Sequence, residues 1–356
     1  MVDYAGKDNN SLPYEGKFLA PADGYFSTFR AENRIRNSHL RVTDSCLRMR
    51  IFMFLIQKGK IMENGQKHAL ITGATSGIGY ELAKLFARDN YNLVLVARNE
   101  DLLKETAREM EAIGNIHTHT FAADLFDPGA PEKIYSFTRE RNITIDVLVN
   151  DAGQGEWGRF TQTALQRERD LIQLNIVALV SLTKYYLKEM EARKSGKILQ
   201  LASSVSKAPS PFLSVYAATK AFVLSFTEAL IEEMKDTNVT LTALRPDATD
   251  TDFFHKAKAE NTVTYKEASM YTAEEVAKAG YEGLMDGDAV VIPGFKNKTY
   301  DVLNTVLPDS AVAKNMAKQM APSEKEGGRQ RTQHAPSARE RRAINERGGL
   351  VNGDVV

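Results

Sequence analysis

A tyrosine and a lysine stand one helical turn apart in the segment Tyr216-Ala-Ala-Thr-Lys220. On a helix, this i,i+4 spacing puts the phenol and the ammonium on the same face. A free tyrosine has a pKa of about 10 and is a poor acid–base catalyst at neutral pH, but a nearby cation stabilises its phenolate. The pair therefore predicts general acid–base chemistry at a carbonyl or an alcohol, although the same spacing is common on solvated helix faces.

A glycine-rich loop lies upstream, in Thr72-Gly73-Ala-Thr-Ser-Gly77-Ile-Gly79. Gly73 and Gly77 allow a tight turn beside a pyrophosphate, and Gly79 allows a helix to pack closely on a strand. The spacing G-x-x-x-G-x-G differs from the G-x-G-x-x-G of the standard dinucleotide fingerprint. We predict that a nucleotide cofactor is held at the start of the following helix by Gly73, Thr75, Ser76, Gly77, Ile78 and Gly79.

The end of the second predicted strand bears on the choice of cofactor. The run Leu-Val-Leu-Val-Ala97-Arg98 has an arginine about where an NAD-preferring site places an acidic residue. A guanidinium suits the 2′-phosphate of NADP(H), so the sequence favours NADP(H) over NAD(H). The alternative is an exposed Arg98 that caps the next helix. Asp124 and Leu125 close the third strand and are expected beside the adenine ring.

Alternating strands and helices position these residues. Short β-branched runs at 68–72, 92–96, 116–121, 146–150, 197–201, 240–244 and 289–292 alternate with segments of helical period. Right-handed crossovers between such strands give a parallel sheet covered on both faces. The sequence therefore predicts an α/β fold with a Rossmann-type, doubly wound parallel sheet of about seven strands in a single domain.

Composition excludes several classes of protein. The chain of 356 residues carries 46 Lys and Arg against 46 Asp and Glu, so its charge gives no reason to expect nucleic acid as a partner. The single cysteine, Cys46, excludes an internal disulfide framework and a multi-cysteine zinc site. The longest apolar run, residues 51–56, is far shorter than the roughly 20 residues of a transmembrane segment. We expect a cytoplasmic protein, for which peripheral association with a membrane stays open.

The two ends of the chain differ from the middle. Residues 1–60 lack a regular period, and the arginine-rich end has few large apolar side chains. Such segments bury too little surface to offset the entropy of ordering. We predict a disordered extension at 1–66, a folded domain at 67–320 and a basic disordered tail at 321–356. Apolar residues between Tyr300 and Met320 predict an amphipathic helix that packs on the core, a partner subunit or a membrane surface, and we favour the core.

Together and in their order, these motifs resemble the short-chain dehydrogenase/reductase family. The resemblance covers about 67–295, and the branch of 3-oxoacyl and hydroxysteroid reductases is the most similar. It rests on the glycine loop and on Asn150-Asp-Ala152-Gly153, Asn175, Ser203, Tyr216-x-x-x-Lys220 and Arg245-Pro246. The family pattern implies further cofactor contacts from Asn150, Ala152, Gly153, Tyr216, Lys220, Pro246 and Thr249.

The resemblance implies an oxidoreductase that reduces a ketone or aldehyde, or oxidises the alcohol. In such a site, Tyr216 donates a proton to the substrate oxygen and Ser203 hydrogen-bonds that oxygen. Lys220 binds the nicotinamide ribose and lowers the pKa of Tyr216, while Asn175 holds a water in the proton relay. Ser204 is the alternative to Ser203, which stands at the family's usual interval from the tyrosine.

Two positions depart from the family pattern. The family has Asn where this chain has Asp151, and Gly where this chain has Asp247. An ionised carboxylate can only accept hydrogen bonds, and an aspartate loses the backbone freedom of glycine. These departures motivate a second hypothesis, in which the chain is a cofactor-binding sensor or scaffold without turnover.

Specificity is expected in the segment after the sixth strand. Residues 253–271 lack a strong period and predict a lid, whose Phe253, Phe254 and Met270 indicate a small apolar carbonyl or alcohol as substrate. The helix around Lys184 resembles the one through which this fold often forms dimers, so a homodimer or homotetramer is expected. His117 and His119 share a strand face without a Cys or Glu cluster, and no metal site is predicted.

Overall fold

Seven parallel strands form the central sheet of the computed structural model, which describes residues 65–294 and 307–323. In chain order the strands are β1 (His68–Thr72), β2 (Asn92–Ala97), β3 (Thr118–Ala122), β4 (Val147–Asn150), β5 (Gly196–Leu201), β6 (Val239–Leu244), β7 (Thr249–Asp250), β8 (Tyr271–Thr272) and β9 (Val290–Val291). The central sheet has the order β3-β2-β1-β4-β5-β6-β9, and β7 and β8 form a separate pair. Cys46, nearly all of the predicted extension and most of the predicted tail lie outside the described residues.

Helices cover both faces of this sheet. They are α1 (Gly77–Arg88), α2 (Glu100–Ile113), α3 (Ala130–Glu140), α4 (Leu165–Ile172), α5 (Leu179–Ala192), α6 (Ser214–Met234), α7 (Phe253–Lys256), α8 (Val263–Glu267), α9 (Ala273–Asp286) and α10 (Asp309–Gln319). Helices α1, α2 and α9 share one apolar core with the sheet, and α3, α5 and the end of α6 share the other.

Successive residues of the strands point to opposite faces, which explains their continuous apolar runs. Ile71 and Leu95 belong to the core under α1, whereas Leu70 and Val94 belong to the core under α5. All four side chains are fully buried. The predicted fold class is confirmed, because the sheet is parallel, doubly covered and seven-stranded.

The outermost strands differ most from the sequence-based expectation. Strand β3 begins at Thr118 rather than at residue 116, and β9 is reduced to Val290–Val291. Within residues 65–294 and 307–323, each pairs with the sheet on one side only, so burial constrains its residues less than those of the central strands. All five residues of β3 are partly or fully exposed.

Helix α10 lies within the amphipathic segment predicted near the end of the chain. Its Val312 and Met316 are buried against Val205 and Leu213, so the helix packs on the core as favoured from the sequence. The apolar residues Val302, Leu303 and Val306 of the same prediction lie outside the described residues.

Within the described ranges, α6 is the one helix with the length and apolar composition of a membrane span. Its Val223 and Leu224 are buried beside Ala202 and Ala243 at the ends of β5 and β6. Of the apolar stretch of α6, 33% is buried, so core packing accounts for only part of the apolar composition of this helix.

Candidate active site

A cavity of about 920 Å³ lies at the carboxyl ends of the parallel strands. Gly73, Ala152, Ser203 and Pro246, which follow β1, β4, β5 and β6, line it. The chain reverses its direction of travel across the sheet between β1 and β4, and ligands of open α/β sheets bind outside the strand ends at such a point. The cavity is therefore the candidate active site.

The glycine loop turns the chain from β1 into α1 beside this cavity. Gly73 and Gly77 have φ angles of +73° and +59°, which favour glycine over other residues. A Cβ on Gly79 would lie 2.7 Å from the Gly73 carbonyl oxygen, so the close packing expected of this glycine is present. Ser76 and Ile78 line the cavity, and the hydroxyl of Ser76 caps no described backbone N–H of α1. The loop thus fits a pyrophosphate at the N-terminus of α1.

Asp151 lies directly behind this loop. Its backbone N–H donates to Thr72 Oγ1 over 3.1 Å, and its carboxylate accepts a hydrogen bond from the backbone N–H of Gly79. Among the described residues, Asp151 Oδ1 is buried without a hydrogen-bond partner. Burial raises the pKa of Asp151 to about 7, against the opposing effects of Lys220, of the Gly79 N–H and of Lys256.

Lys220 is buried behind Gly153. Its Nζ donates to the backbone oxygen of Leu201 over 2.6 Å. A Cβ on Gly153 would approach Lys220 Nζ to 3.2 Å and Asn175 Oδ1 to 3.4 Å, so a larger residue at this wall of the cavity would press on both side chains. Burial lowers the pKa of Lys220 to about 8, and the charge of Asp151 opposes this shift.

Tyr216 and Ser203 meet at the cavity surface. Tyr216 lies in the first turn of α6, and its hydroxyl shares a hydrogen bond with the side chain of Ser203. Burial raises the pKa of Tyr216 to about 12, and the Ser203 hydrogen bond opposes the rise. From the sequence we expect Lys220 to lower this pKa. Burial has the larger effect on it, and the Lys220 ammonium lies 5.9 Å from the phenol ring centroid.

The structure also separates Ser203 from its alternative, Ser204. Ser203 precedes a short 3₁₀ turn, and its Oγ accepts from the backbone N–H of Val205 over 3.4 Å. Ser204 Oγ donates instead to Asp247 Oδ1 over 3.0 Å. Asp247, one of the two departures from the family pattern, therefore holds Ser204 beside the cavity, while Ser203 is the serine bonded to Tyr216.

Asn175 anchors the first turn of α6. It lies in a π-helical turn, Gln173–Ala178, that joins α4 to α5, and such turns are frequent at functional sites. Its Nδ2 donates to the Gln154 backbone oxygen over 2.9 Å and to Thr219 Oγ1 over 3.0 Å, and its Oδ1 accepts from the Gln154 N–H over 3.2 Å. Thr219 Oγ1 in turn donates to the Tyr216 backbone oxygen over 2.7 Å.

Sequence reasoning did not single out Gln154 or Thr219 as part of this network. Thr219 stands inside the Tyr-x-x-x-Lys motif, but a threonine in a helix commonly bonds the preceding turn, so its type alone carries no signal. Gln154 takes part through its backbone, which residue type does not reveal.

Arg98 follows β2 and is exposed. Its guanidinium lies 5.7 Å from the ring centroid of Phe126. The cap of α2 is Asn99, whose side chain accepts from the backbone N–H of Leu102 over 3.0 Å. The capping role considered for Arg98 therefore belongs to its neighbour.

Some of the predicted cofactor residues do not line the cavity. The Nδ2 of Asn150 donates to Thr183 Oγ1 and Gln200 Oε1, over 3.1 and 3.0 Å, and so ties β4 to β5 and α5. Leu125 is buried in the core, and Asp124 Oδ1 accepts from the backbone N–H of Phe126 in its own turn. Thr75 lies in the glycine loop away from the cavity lining, whereas Pro246 and Thr249 belong to it. Among the described residues, no cluster of three or more His, Cys, Asp or Glu side chains could hold a metal ion.

The remaining walls of the cavity combine apolar side chains with polar ones such as Lys256, Glu267 and Gln319. Phe253, Phe254 and Met270 of the predicted lid line it, and the Phe253 ring centroid lies 4.9 Å from that of Tyr216. Met316 and Met320 line it too, although they come from the C-terminal helix and the residue after it. No sequence pattern places these two methionines in the site.

Comparison with known proteins agrees with this geometry. A family model described as short chain dehydrogenase matches residues 67–262. Dehydrogenase/reductase SDR family member 7B of Mus musculus is 32% identical over 247 residues, which are 68% of this chain and 75% of the mouse protein. Very-long-chain 3-oxoacyl-CoA reductase of Laccaria bicolor is 36% identical over 177 residues, which are 49% of this chain and 52% of the fungal protein. The solved short-chain dehydrogenase from Sphingobium yanoikuyae in complex with NADPH is 28% identical with a TM-score of 0.61, over 70% of this chain and 99% of that one.

Proposed function

The chain belongs to the short-chain dehydrogenase family, and we propose that it is an NADP(H)-dependent oxidoreductase that reduces a ketone or aldehyde. Membership of this family supports oxidoreductase activity on CH–OH and C=O groups with a nicotinamide cofactor. The observation that carries the proposal is the hydrogen bond between the Tyr216 phenol and the Ser203 hydroxyl at the cavity surface.

The proposed mechanism gives each of four side chains one task. When bound, the nicotinamide cofactor supplies a hydride for the carbonyl carbon. Tyr216 holds its proton at neutral pH, as a phenol with an ordinary pKa of about 10 does, and burial raises this pKa further, to about 12. It donates that proton to the carbonyl oxygen. The Ser203 hydroxyl orients the same oxygen, and the buried Lys220 ammonium stabilises the phenolate that remains. Asn175 positions the first turn of α6 through Thr219. We also propose that Asn175 holds a water molecule in the proton relay, as the family resemblance implies.

A preference for NADP(H) is supported by the residues around the glycine loop. The loop is joined to the end of β2, because the Gly73 N–H donates to the Val96 backbone oxygen over 2.9 Å. Arg98 follows two residues later, with Ala97 rather than an acidic side chain before it. A 2′-phosphate at this strand end would meet a guanidinium, whereas a free ribose hydroxyl would lack its usual carboxylate acceptor. The relative from Sphingobium yanoikuyae was solved with NADPH.

An apolar carbonyl compound is the proposed substrate. Val205, Leu213, Phe254 and Met270 line the cavity near Tyr216 and offer dispersion contacts rather than hydrogen bonds. The names of the curated relatives point to the same chemistry, since they include a very-long-chain 3-oxoacyl-CoA reductase and a 17-beta-hydroxysteroid dehydrogenase type 3.

The opposing proposal is a cofactor-binding sensor or scaffold without turnover. Asp151 and Asp247 motivated it, but Asp247 has a structural partner in Ser204, and neither departure removes Ser203, Tyr216 or Lys220. Titration of NADPH and NADH by fluorescence, followed by NADPH oxidation over a panel of ketones and aldehydes, separates the two proposals. Turnover that requires Tyr216 supports the enzyme, and cofactor binding without turnover over the whole panel supports the sensor.

Assembly into a homodimer or homotetramer is a further part of the proposal. Leu165 and Ile172 on α4 are exposed by 61% and 41%, Val177 in the π-helical turn after α4 by 41%, and Phe222 on α6 by 40%. Such apolar side chains on neighbouring helices support a contact between copies of the chain. Analytical ultracentrifugation of wild type and Phe222→Glu tests this contact. If these helices form the interface, the variant should dissociate and sediment as a species of lower mass than the wild type. A cytoplasmic location, a disordered extension at 1–66 and a disordered basic tail remain proposals as well.

A further inference from the structure

The last described segment of the chain closes the cavity that holds Ser203 and Tyr216. We propose that α10 and the turn after it, residues 309–323, form the outer wall of the substrate compartment and select the carbonyl compound by size. We call this segment the C-terminal strap. The inference rests on the proposed function and deepens it by naming residues that determine specificity.

One face of the strap packs on the segments that carry the catalytic side chains. Val312, Met316 and Met320 recur at helical spacing and are 3%, 9% and 6% exposed. They form a single apolar cluster with Val205 and Leu213, which lie between Ser203 and Tyr216 in the chain. The position of the strap and that of the reacting groups are therefore linked through one shared core.

The same face reaches the cavity itself. Met316 and Met320 line it together with Asn315 and Gln319, and Tyr216 lies on the same lining. Methionine is unbranched and polarisable, so it adapts to an apolar ligand and sets the available space without a fixed polar requirement. A substrate held at Tyr216 would thus meet methionine side chains of the strap.

Hydrogen bonds fix the end of α10 against the lid and against Trp157. The indole N–H of Trp157 donates to the Met320 backbone oxygen over 2.8 Å, and Thr264 Oγ1 donates to the Gln319 backbone oxygen over 3.0 Å. These bonds satisfy carbonyl groups that the last turn of a helix leaves without an internal partner. Directional hydrogen bonds, and not apolar packing alone, therefore hold the end of α10 in place.

The turn after α10 continues this attachment. The Val263 N–H donates to the Ala321 backbone oxygen over 3.0 Å, and the Ser323 N–H donates to the Asn261 backbone oxygen over 2.7 Å. Ser323 Oγ also donates to Glu267 Oε1 over 2.9 Å. The lid and the strap are thus bonded to each other along several residues and behave as one wall. Because the family model ends at residue 262, the strap lies outside the part of the chain that the family model matches.

Size selection is tested with opposite changes at one residue. Met316→Ala enlarges the substrate compartment, and Met316→Phe makes it smaller. The measured quantity is kcat/KM for a steroid ketone divided by kcat/KM for 2-pentanone. This ratio should rise in Met316→Ala and fall in Met316→Phe. Each shift should be roughly 10-fold, the discrimination that apolar pockets achieve. Lys314→Ala is the matched control, since Lys314 is exposed on α10 and does not line the cavity. An unchanged ratio in both Met316 variants, with the NADPH Kd retained, would overturn the proposal.

A second measurement does not depend on turnover. Trp157 is the only tryptophan of the chain, so its intrinsic emission reports directly on the bond to the strap. Saturating 2-decanone, added to the full chain with NADP+ bound, should shift this emission, and the Kd from the titration should change at least about fivefold in Met316→Ala but not in Lys314→Ala. If the chain binds 2-decanone but turns nothing over, the proposed function fails while the strap is supported. Emission that does not respond to any ketone that a second binding method detects would contradict the strap.

Discussion

Asp151 and Lys220 share a buried environment in which the charge of each shifts the pKa of the other. Burial raises the pKa of Asp151 to about 7 while the Lys220 ammonium opposes the rise. Burial also lowers the pKa of Lys220 to about 8 while the Asp151 carboxylate opposes the fall. Because the Asp151 carboxylate accepts the Gly79 N–H, this pair connects the cofactor loop to the proposed catalytic lysine. The departure from the family pattern at residue 151 thus introduces a titratable group behind the cofactor site.

Asp151→Asn should make NADPH binding less dependent on pH. Above pH 7 the wild-type carboxylate adds a negative charge behind the loop that would hold the pyrophosphate, and the amide does not. The variant should bind NADPH more tightly at pH 8.5 by roughly fivefold, the size of a single charge interaction of ~1 kcal/mol, and equally at pH 5.5. Fluorescence titration at both pH values checks this, with the exposed Asp236→Asn as control. Parallel pH curves for Asp151→Asn and wild type would show that the carboxylate does not act on the cofactor.

The same residue should make the folded state less stable as the pH rises. The pKa of Asp151 is raised from its ordinary 3.8 to about 7, so the folded state favours the protonated acid. Its stabilising contribution is complete below about pH 4 and is lost as the pH rises through about 7. Relative to Asp151→Asn, the wild type should lose on the order of 2 kcal/mol of unfolding free energy between pH 5 and pH 8. Urea denaturation at the two pH values measures the difference, and a constant difference would place the pKa of Asp151 outside this window.

Arg98→Ala should separate the two cofactors. Loss of the guanidinium removes a charge-assisted hydrogen bond to the 2′-phosphate, and the Kd for NADPH should rise roughly 10- to 100-fold. The Kd for NADH should change by less than about twofold, because NADH has no phosphate at this position. Arg108→Ala, an exposed arginine on α2, provides the control. Equal losses for both cofactors would contradict the proposed preference for NADP(H).

The fold and the glycine loop were predictable because they depend on local pattern. Strands buried on both faces read as continuous apolar runs, and β1 was predicted with its observed bounds, His68–Thr72. The left-handed turns at Gly73 and Gly77 also follow from residue type. The edge strand β3 was less well predicted, since its residues are not fully buried on either face.

The rest of the site depends on contacts between distant parts of the chain. The hydrogen bond from Trp157 to Met320 joins residues that are 163 positions apart in the chain, and no local sequence pattern predicts it. The spacing of Tyr216 and Lys220 predicts a lowered pKa for the tyrosine, but burial, which depends on the packing of the lid and cannot be read from spacing, outweighs this effect and raises the pKa. The sequence shows that Asp151 departs from the family pattern, but not that its carboxylate is buried near Lys220.

The proton donated by Tyr216 is the central claim, and the rate of NADPH oxidation in Tyr216→Phe tests it most directly. The variant keeps the ring that packs on Phe253 and removes only the hydroxyl bonded to Ser203. Tyr185→Phe on α5 makes the same chemical change away from the cavity and serves as the control. With a ketone that the wild type reduces, kcat should fall by roughly 10²- to 10⁴-fold in Tyr216→Phe, while the Kd for NADPH changes by less than about twofold. A Tyr216→Phe enzyme that reduces the ketone as fast as wild type would contradict the assignment of Tyr216 as the proton donor.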